Sequence, residues 1–228
     1  RCRDGQLFGL DTAGAKHPVQ AVGPRVYLPI GNCLMGHVDG ADAMALAFLN
    51  SAGVRQMAGY TVPTWFGYAG WGLLDYYLNQ PGRYSLSESF VANYHALDHR
   101  LLAAKGGERR GLEHDRDVVA FFGDPAWDAR LAPGPLRWRQ SLERNGDRWT
   151  FRIEPQAGAE TFQPVDRNGS TRGGRPMIAF LPERIGPARV LEGAALQPVV
   201  ADDFVLIPLP EGAVQTSYRV VFEAAPLN

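Results

Sequence analysis

Arg25-Val26-Tyr27-Leu28-Pro29-Ile30-Gly31-Asn32-Cys33-Leu34-Met35-Gly36 is the stretch on which the reading of this chain turns. Val26, Tyr27, Leu28 and Ile30 form a short apolar run of the kind buried on both faces of a parallel sheet, and Cys33 follows at its C-terminal end. Beyond a loop with Gly36 and Gly40, residues 41–52 are rich in Ala, Met, Leu and Phe, apolar nearly all round, and closed by Gly53. That composition predicts a buried crossover helix. Val54–Tyr60 reads as a second strand, so strand, helix and strand make one βαβ unit. Residues 61–68, with Pro63, Trp65 and Gly67, then form a loop at the C-terminal edge of that sheet, where open α/β folds place their sites. If the two strands are neighbours, this loop lies beside Cys33.

Further along, Ser85 and Glu88 form a capping box, and Leu86, Phe90, Tyr94, Leu97 and Leu101 follow at helical spacing until Gly106-Gly107 stops the helix. After Asp128 the period changes to two. Leu136, Trp138, Gln140 and Leu142 alternate with Arg137, Arg139 and Ser141. Asn145-Gly146 signals a hairpin, and Trp149, Phe151 and Ile153 alternate on the return strand. Apolar runs at residues 177–181, 189–191, 204–209 and 218–222 predict further strands, about seven in all, the size of an immunoglobulin-like β-sandwich. The chain therefore divides into an α/β domain over residues 1–130 and an all-β domain over 131–228.

Composition narrows the function. The 23 Lys plus Arg are scattered among 24 Asp plus Glu, the net charge is −1, and no basic stripe forms, which argues against a nucleic-acid partner. Two cysteines, Cys2 and Cys33, are too few for a disulfide framework. The richest apolar region, residues 41–78, is broken by Asn50, Arg55, Pro63 and several glycines before it reaches the roughly 18 residues of a membrane span, so the chain reads as soluble. Arg1-Cys2-Arg3-Asp4-Gly5 reads as a processed or trimmed end of a longer precursor.

A thiol at the end of a buried strand, just ahead of a helix, meets backbone N–H groups and a positive dipole end, both of which favour the thiolate. Free cysteine is also among the most buried residue types and usually only packs, but Gly31, Asn32 and Gly36 around Cys33 favour an exposed nucleophile. Three ordered phrases carry a resemblance: Gly31-Asn32-Cys33 closing an apolar strand, Tyr60-Thr61-Val62-Pro63-Thr64-Trp65, and Phe121-Phe122-Gly123-Asp124-Pro125. Together they resemble the gingipain-like cysteine peptidases of the caspase-haemoglobinase fold. The resemblance implies the C-terminal part of a caspase-like, mostly parallel sheet with flanking helices, followed by the immunoglobulin-like domain. It implies Cys33 as nucleophile, with its own backbone N–H in the oxyanion site, and Tyr60, Thr61, Val62 and Trp65 around the substrate side chain. It implies a peptide or protein substrate, no cofactor, and export to the periplasm, cell surface or exterior. The catalytic His of that family precedes a glycine upstream of the cysteine. No His-Gly pair occurs in this chain, so the base is expected on an N-terminal part of the same precursor, and the enzyme is incomplete in this chain alone.

His17, followed by Pro18, and His37, four residues past Cys33, are weaker candidates for the base, since a base must lie within hydrogen-bond reach. His95 and His99 share a helix face as in helical zinc sites, but lack a Glu and a third ligand, so no metal is expected. Asp124 reads as a turn cap and Asn168-Gly169-Ser170 as an exposed turn with a glycosylation pattern. Two rivals stand beside the peptidase. One is a cysteine hydrolase of another α/β family, disfavoured because Met35 occupies the second-neighbour position where a nucleophile elbow wants glycine. The other is a catalytically inactive peptidase fold used for binding or secretion.

Overall fold

In the computed structural model, the residues described are all but 64–66, 157–161, 163–164, 168–169, 173, 211–213 and 228. Ahead of the apolar run, the chain folds into an antiparallel meander of β1 (Cys2–Arg3), β2 (Gln6–Leu10) and β3 (Lys16–Pro18), which the sequence pattern does not announce. Asp4 and Gly5, at φ 50° and 68°, make the tight left-handed turn between β1 and β2. The meander lies on the first helix, α1 (Met44–Ser51), where Leu7 joins Ala45, Ala47, Ala52, Val54 and Met57 in one buried cluster. The Leu7 N–H donates to Ser51 Oγ at 2.9 Å and Asn50 Nδ2 donates to the Gly5 carbonyl at 2.8 Å.

The central sheet of this unit has three strands in the order β4 (Arg25–Tyr27), β5 (Val54–Tyr60) and β6 (Val119–Gly123). β4 and β5 are parallel neighbours joined through α1, while β6 returns antiparallel along the other side of β5, with Tyr60 opposite Val119 and Gln56 opposite Gly123. This corrects the expected fold class: the protein is mostly β with mainly antiparallel sheets, and the described residues form no caspase-like, mostly parallel sheet. The apolar run misleads for a physical reason. Pro29 has no N–H to donate and Gly31 turns the backbone to φ 89°, so the ladder stops at Tyr27, six residues before Cys33. A run that reads as a buried strand is half ladder and half loop.

Three helices fill the connection from β5 to β6: α2 (Tyr68–Tyr77), α3 (Leu86–Ala103) and α4 (Gly106–Asp117). α3 opens on the capping box, with the Glu88 N–H donating to Ser85 Oγ at 3.1 Å and the Ser85 N–H donating to Glu88 Oε2 at 2.7 Å. Gly106 and Gly107 do not follow the end of α3 as a stop; they are the first residues of α4, and the chain turns at Ala104 and Lys105. Leu97, Leu101, Leu112 and Val119 are buried together with Tyr60 and Ala69, which ties α2, α3 and α4 to the end of β5.

The chain separates into two units, Arg1–Pro133 and Gly134–Asn228. In the second, β7 (Trp138–Asn145) and β8 (Arg148–Pro155) form a hairpin in which Asn145 faces Arg148 and Gly146 takes φ 62°. β9 (Val165–Arg167) pairs with β10 (Ser170–Arg172). The remaining strands are β11 (Met177–Phe180), β12 (Arg189–Glu192), β13 (Val199–Val200), β14 (Phe204–Ile207) and β15 (Tyr218–Glu223). They form one antiparallel sheet ordered β12-β15-β8-β7 and another ordered β11-β14-β13. Trp149, Phe151, Ile153 and Phe222 from the first are buried in one cluster with Met177, Val205 and Ile207 from the second. That shared core follows from the period-two alternation in the sequence.

Candidate active site

The Cys33 loop begins where the β4 ladder ends. Asn32 N–H closes a turn on the Pro29 carbonyl at 3.1 Å and His37 N–H closes another on Leu34 at 3.1 Å. Between them Cys33 is exposed and takes part in no disulfide. Its next neighbour, Leu34, has φ 67°, a left-handed conformation that costs a branched side chain about 1–2 kcal/mol. The surroundings must therefore hold the loop.

They do so through the end of β5. Gly36 N–H donates to the Tyr60 carbonyl at 2.8 Å, and Gly36 lies directly on the backbone of Gly59. A Cβ on Gly36 would sit 2.7 Å from the Gly59 carbonyl carbon, and one on Gly59 would sit 2.9 Å from Gly36 N. Glycine at both positions is what allows the two chains to touch. One residue on, His37 Nδ1 lies 2.9 Å from the Thr61 carbonyl. A carbonyl only accepts, so Nδ1 carries the proton and the neutral ring keeps its lone pair on Nε2. Asp39 Oδ2 stands 3.8 Å from that nitrogen.

On the other side stand Tyr60, Thr61 and Val62 at the end of β5. Thr61 N–H and Oγ1–H both donate to the Val118 carbonyl, at 2.8 and 3.1 Å. The Tyr60 ring is buried, and its hydroxyl donates to Asp115 Oδ1 at 3.0 Å while accepting from Gly70 N–H at 2.9 Å. Asp115, fully buried on α4, also accepts from Ala69 N–H with its other oxygen. Asn93 Nδ2 donates to the Ala69 carbonyl at 2.5 Å. Asp115 therefore lies at the positive N-terminal end of α2, where it takes the Ala69 N–H while the Tyr60 hydroxyl takes that of Gly70. What Tyr60 presents to the Cys33 loop is its carbonyl, already bonded to Gly36. Val62 is half-buried against the core around Leu97, and Thr61 meets His37 through its carbonyl. Trp65 lies outside the described residues.

An aromatic residue of α2 lies against the thiol loop. Trp71 sets Cζ2 and Cη2 against Gly31, 3.7 and 3.9 Å from where a Cβ would be, and Cδ1 against Gly67 at 3.0 Å from its would-be Cβ. Its indole thus spans from the Cys33 loop to the start of α2. Asp115 and Trp71 both escape pattern reading. Asp115 sits in the charged stretch Glu113-His114-Asp115-Arg116-Asp117, where only its spacing of three from Leu112 hints at a buried face.

The helix expected over residues 41–52, beyond the loop with Gly36 and Gly40, runs from Met44 to Ser51, so α1 does not follow directly on the thiol. Of the other candidates, His17 pairs with Asp11 at 2.9 Å on the exposed β2–β3 hairpin, and this bond holds the Asp11 carboxyl below its usual range. Burial on α3 lowers the His99 imidazole from its usual value. Among the described residues no three His, Cys, Asp or Glu side chains gather as a metal site. Asp124 Oδ1 accepts from Ala126 N–H at 2.9 Å and so caps a turn. Asn168 and Gly169 of the glycosylation pattern lie outside the described residues. A hollow of about 490 Å³ opens at the opposite end of the sheet, between Val54, Arg55, Gly123, Asp124 and Trp127. It lies away from Cys33.

No protein-family model, no curated protein and no solved structure matches this chain. No helix among the described residues is long and apolar enough to cross a membrane.

Proposed function

We propose that the chain carries the nucleophile of a thiol-dependent hydrolase acting on peptide bonds. The observation that supports this is an exposed thiol on a left-handed loop that two backbone contacts and a histidine ring hold against the end of β5. Strained backbone clusters at active sites, and here Leu34 carries it next to the thiol. In the reaction, the Cys33 thiolate attacks the peptide carbonyl and expels the amine, which takes a proton from an imidazolium. Water then adds to the thioester, and the acid and free thiol leave. The oxyanion is stabilised by backbone N–H groups, that of Cys33 among them. Tyr60 contributes through its buried anchor, and Thr61 and Val62 form the loop facing the substrate, with Trp65 as the wall that the gingipain-like resemblance suggests. The fold expected from that resemblance is overturned, so the proposal rests on the thiol and its loop.

The resemblance assigns the base to a histidine on an N-terminal part of the same precursor. One observation favours a second reading, with the base in this chain. The Thr61 carbonyl fixes His37 in the tautomer whose Nε2 accepts a proton, and Asp39 stands ready to stabilise the resulting cation. His37 follows Cys33 by four residues across a closed turn.

Hydrolysis of a mixed fluorogenic peptide library by wild type, Cys33→Ala and His37→Gln tests both readings, with a peptidyl acyloxymethyl ketone as active-site label. Cys33→Ala is expected to lose at least about a thousandfold in rate, the scale of removing a nucleophile. Unchanged turnover in Cys33→Ala, or a wild type that the ketone never labels, sinks the hydrolase. Unchanged turnover in His37→Gln returns the base to the upstream histidine.

A further inference from the structure

We infer that the hollow at the end of the central sheet away from Cys33 binds a small zwitterion with an apolar side chain, the chemistry of a free apolar amino acid. The inference stands apart from the hydrolase reading. The strands build this end of the sheet in an irregular way. Arg25 pairs with Val54 and Val26 with Gln56, so Arg55 is an extra residue bulged out of β5. Bulges of this kind re-aim side chains and are frequent beside sites. Here the bulge leaves Val54 and Met57 in one buried cluster with α1 and Arg55 exposed. Gly123, at φ 111°, closes on the bulge, and a Cβ there would come 2.9 Å from the Arg55 carbonyl carbon. Only glycine permits that approach.

Beyond Gly123 the chain is held from inside. Gln56 is fully buried, and its Nε2 donates to the carbonyls of Asp124 and Trp127 at 2.6 and 2.8 Å. Trp127 N–H closes on the Asp124 carbonyl at 3.2 Å, and Asp124 Oδ1 accepts from Ala126 N–H at 2.9 Å. The hollow of about 490 Å³ is thus shaped before anything enters it, and its size falls in the range of about 300–1,000 Å³ usual for small-molecule sites. A wall fixed in advance loses little entropy on binding.

The lining sets the chemistry. Pro24, Leu49, Val54 and Trp127 are apolar, while Arg55 and Asp124 supply one charge of each sign. Among the described residues these two form no ion pair, either with each other or with a third side chain. A guanidinium fork suits a carboxylate, and a carboxylate suits an ammonium. A simple anion would also meet Asp124 and a simple cation would also meet Arg55, so a ligand carrying both charges is favoured over either. The apolar walls then take its side chain. The alternative is that Arg55 and Asp124 are only a solvated rim.

Amide NMR of the full chain distinguishes these with three probes that share one isobutyl group: leucine, isocaproate, which lacks the ammonium, and isopentylamine, which lacks the carboxylate. Leucine is expected to shift the Gly123 amide and the Trp127 indole N–H saturably. It should bind at least about tenfold more tightly than either single-charge probe, the scale of one hydrogen bond to a charged group. Arg55→Gln and Asp124→Asn should each weaken leucine by about tenfold. Asparagine can still cap the Ala126 turn, and unchanged amides elsewhere in each spectrum show that the fold holds. The absence of a saturable shift with leucine overturns the site. So does leucine binding that both variants leave unchanged. Isocaproate or isopentylamine binding as tightly as leucine, or a loss confined to one variant, leaves a single-charge site and overturns the zwitterion.

Discussion

At Gly36 and Gly59 two backbones touch with no room for a methyl group on either side. Their contact, with the Gly36 to Tyr60 hydrogen bond, fixes how far the Cys33 loop stands from the end of β5. Gly36→Ala is accordingly expected to destabilise the first unit by about 1–3 kcal/mol, the range for overpacking a tight contact, and to lower the rate of Cys33 labelling. A urea titration read alongside ketone labelling checks both, and a variant with unchanged midpoint and rate would show that the loop accommodates the methyl elsewhere. The importance of Gly31 and Gly36 is legible in the sequence as glycines flanking a cysteine. Their partners are not. Gly59 is separated from Gly36 by a helix and most of a strand, and Trp71 from Gly31 by still more chain, and such contacts leave no periodic trace.

Elements with local causes are read correctly, and those with distant causes are not. α3 is specified by its own capping box and apolar stripe, and β7 and β8 by alternation around Asn145-Gly146. The three-stranded meander at residues 2–18 has no such signature, because short edge strands of mixed polarity are stabilised by the helix they cover. α4 is also invisible to pattern, being mostly charged with two buried positions, Leu112 and Asp115. α3 carries a pH response of its own. Burial depresses the His99 pKa below its usual 6.5, so the unfolded chain binds a proton before the folded one does. This contribution is fully present above that value and is lost as the pH falls through the unfolded pKa toward the lower folded one. Wild type is thus expected to lose stability relative to His99→Gln between about pH 7 and 5, as pH-dependent urea midpoints would show. Parallel midpoints for the two proteins across that window would refute it.

At the level of the whole chain, the boundary between helical and alternating sequence falls close to the division at Pro133 and Gly134. Sheet direction was not legible. A parallel β4–α1–β5 unit is written in composition, but nothing local says that the next strand to join, β6, arrives from residue 119 and runs the other way. The fold of the first unit is decided by that late arrival. It also gives the two units different histories of construction. The β7–β8 hairpin joins neighbours across a two-residue turn, whereas Thr61 waits for Val118 and Tyr60 for Asp115, 55 residues on. Closing a long loop is slow compared with zipping a hairpin. During refolding, pulsed hydrogen exchange should therefore find the amides of β7 and β8 protected before those of Gly36 and Thr61, and simultaneous protection would contradict this order. A newly made chain spends its first moments with Cys33 on a slack loop, which takes its final shape only after residues 115–118 have come home to β5.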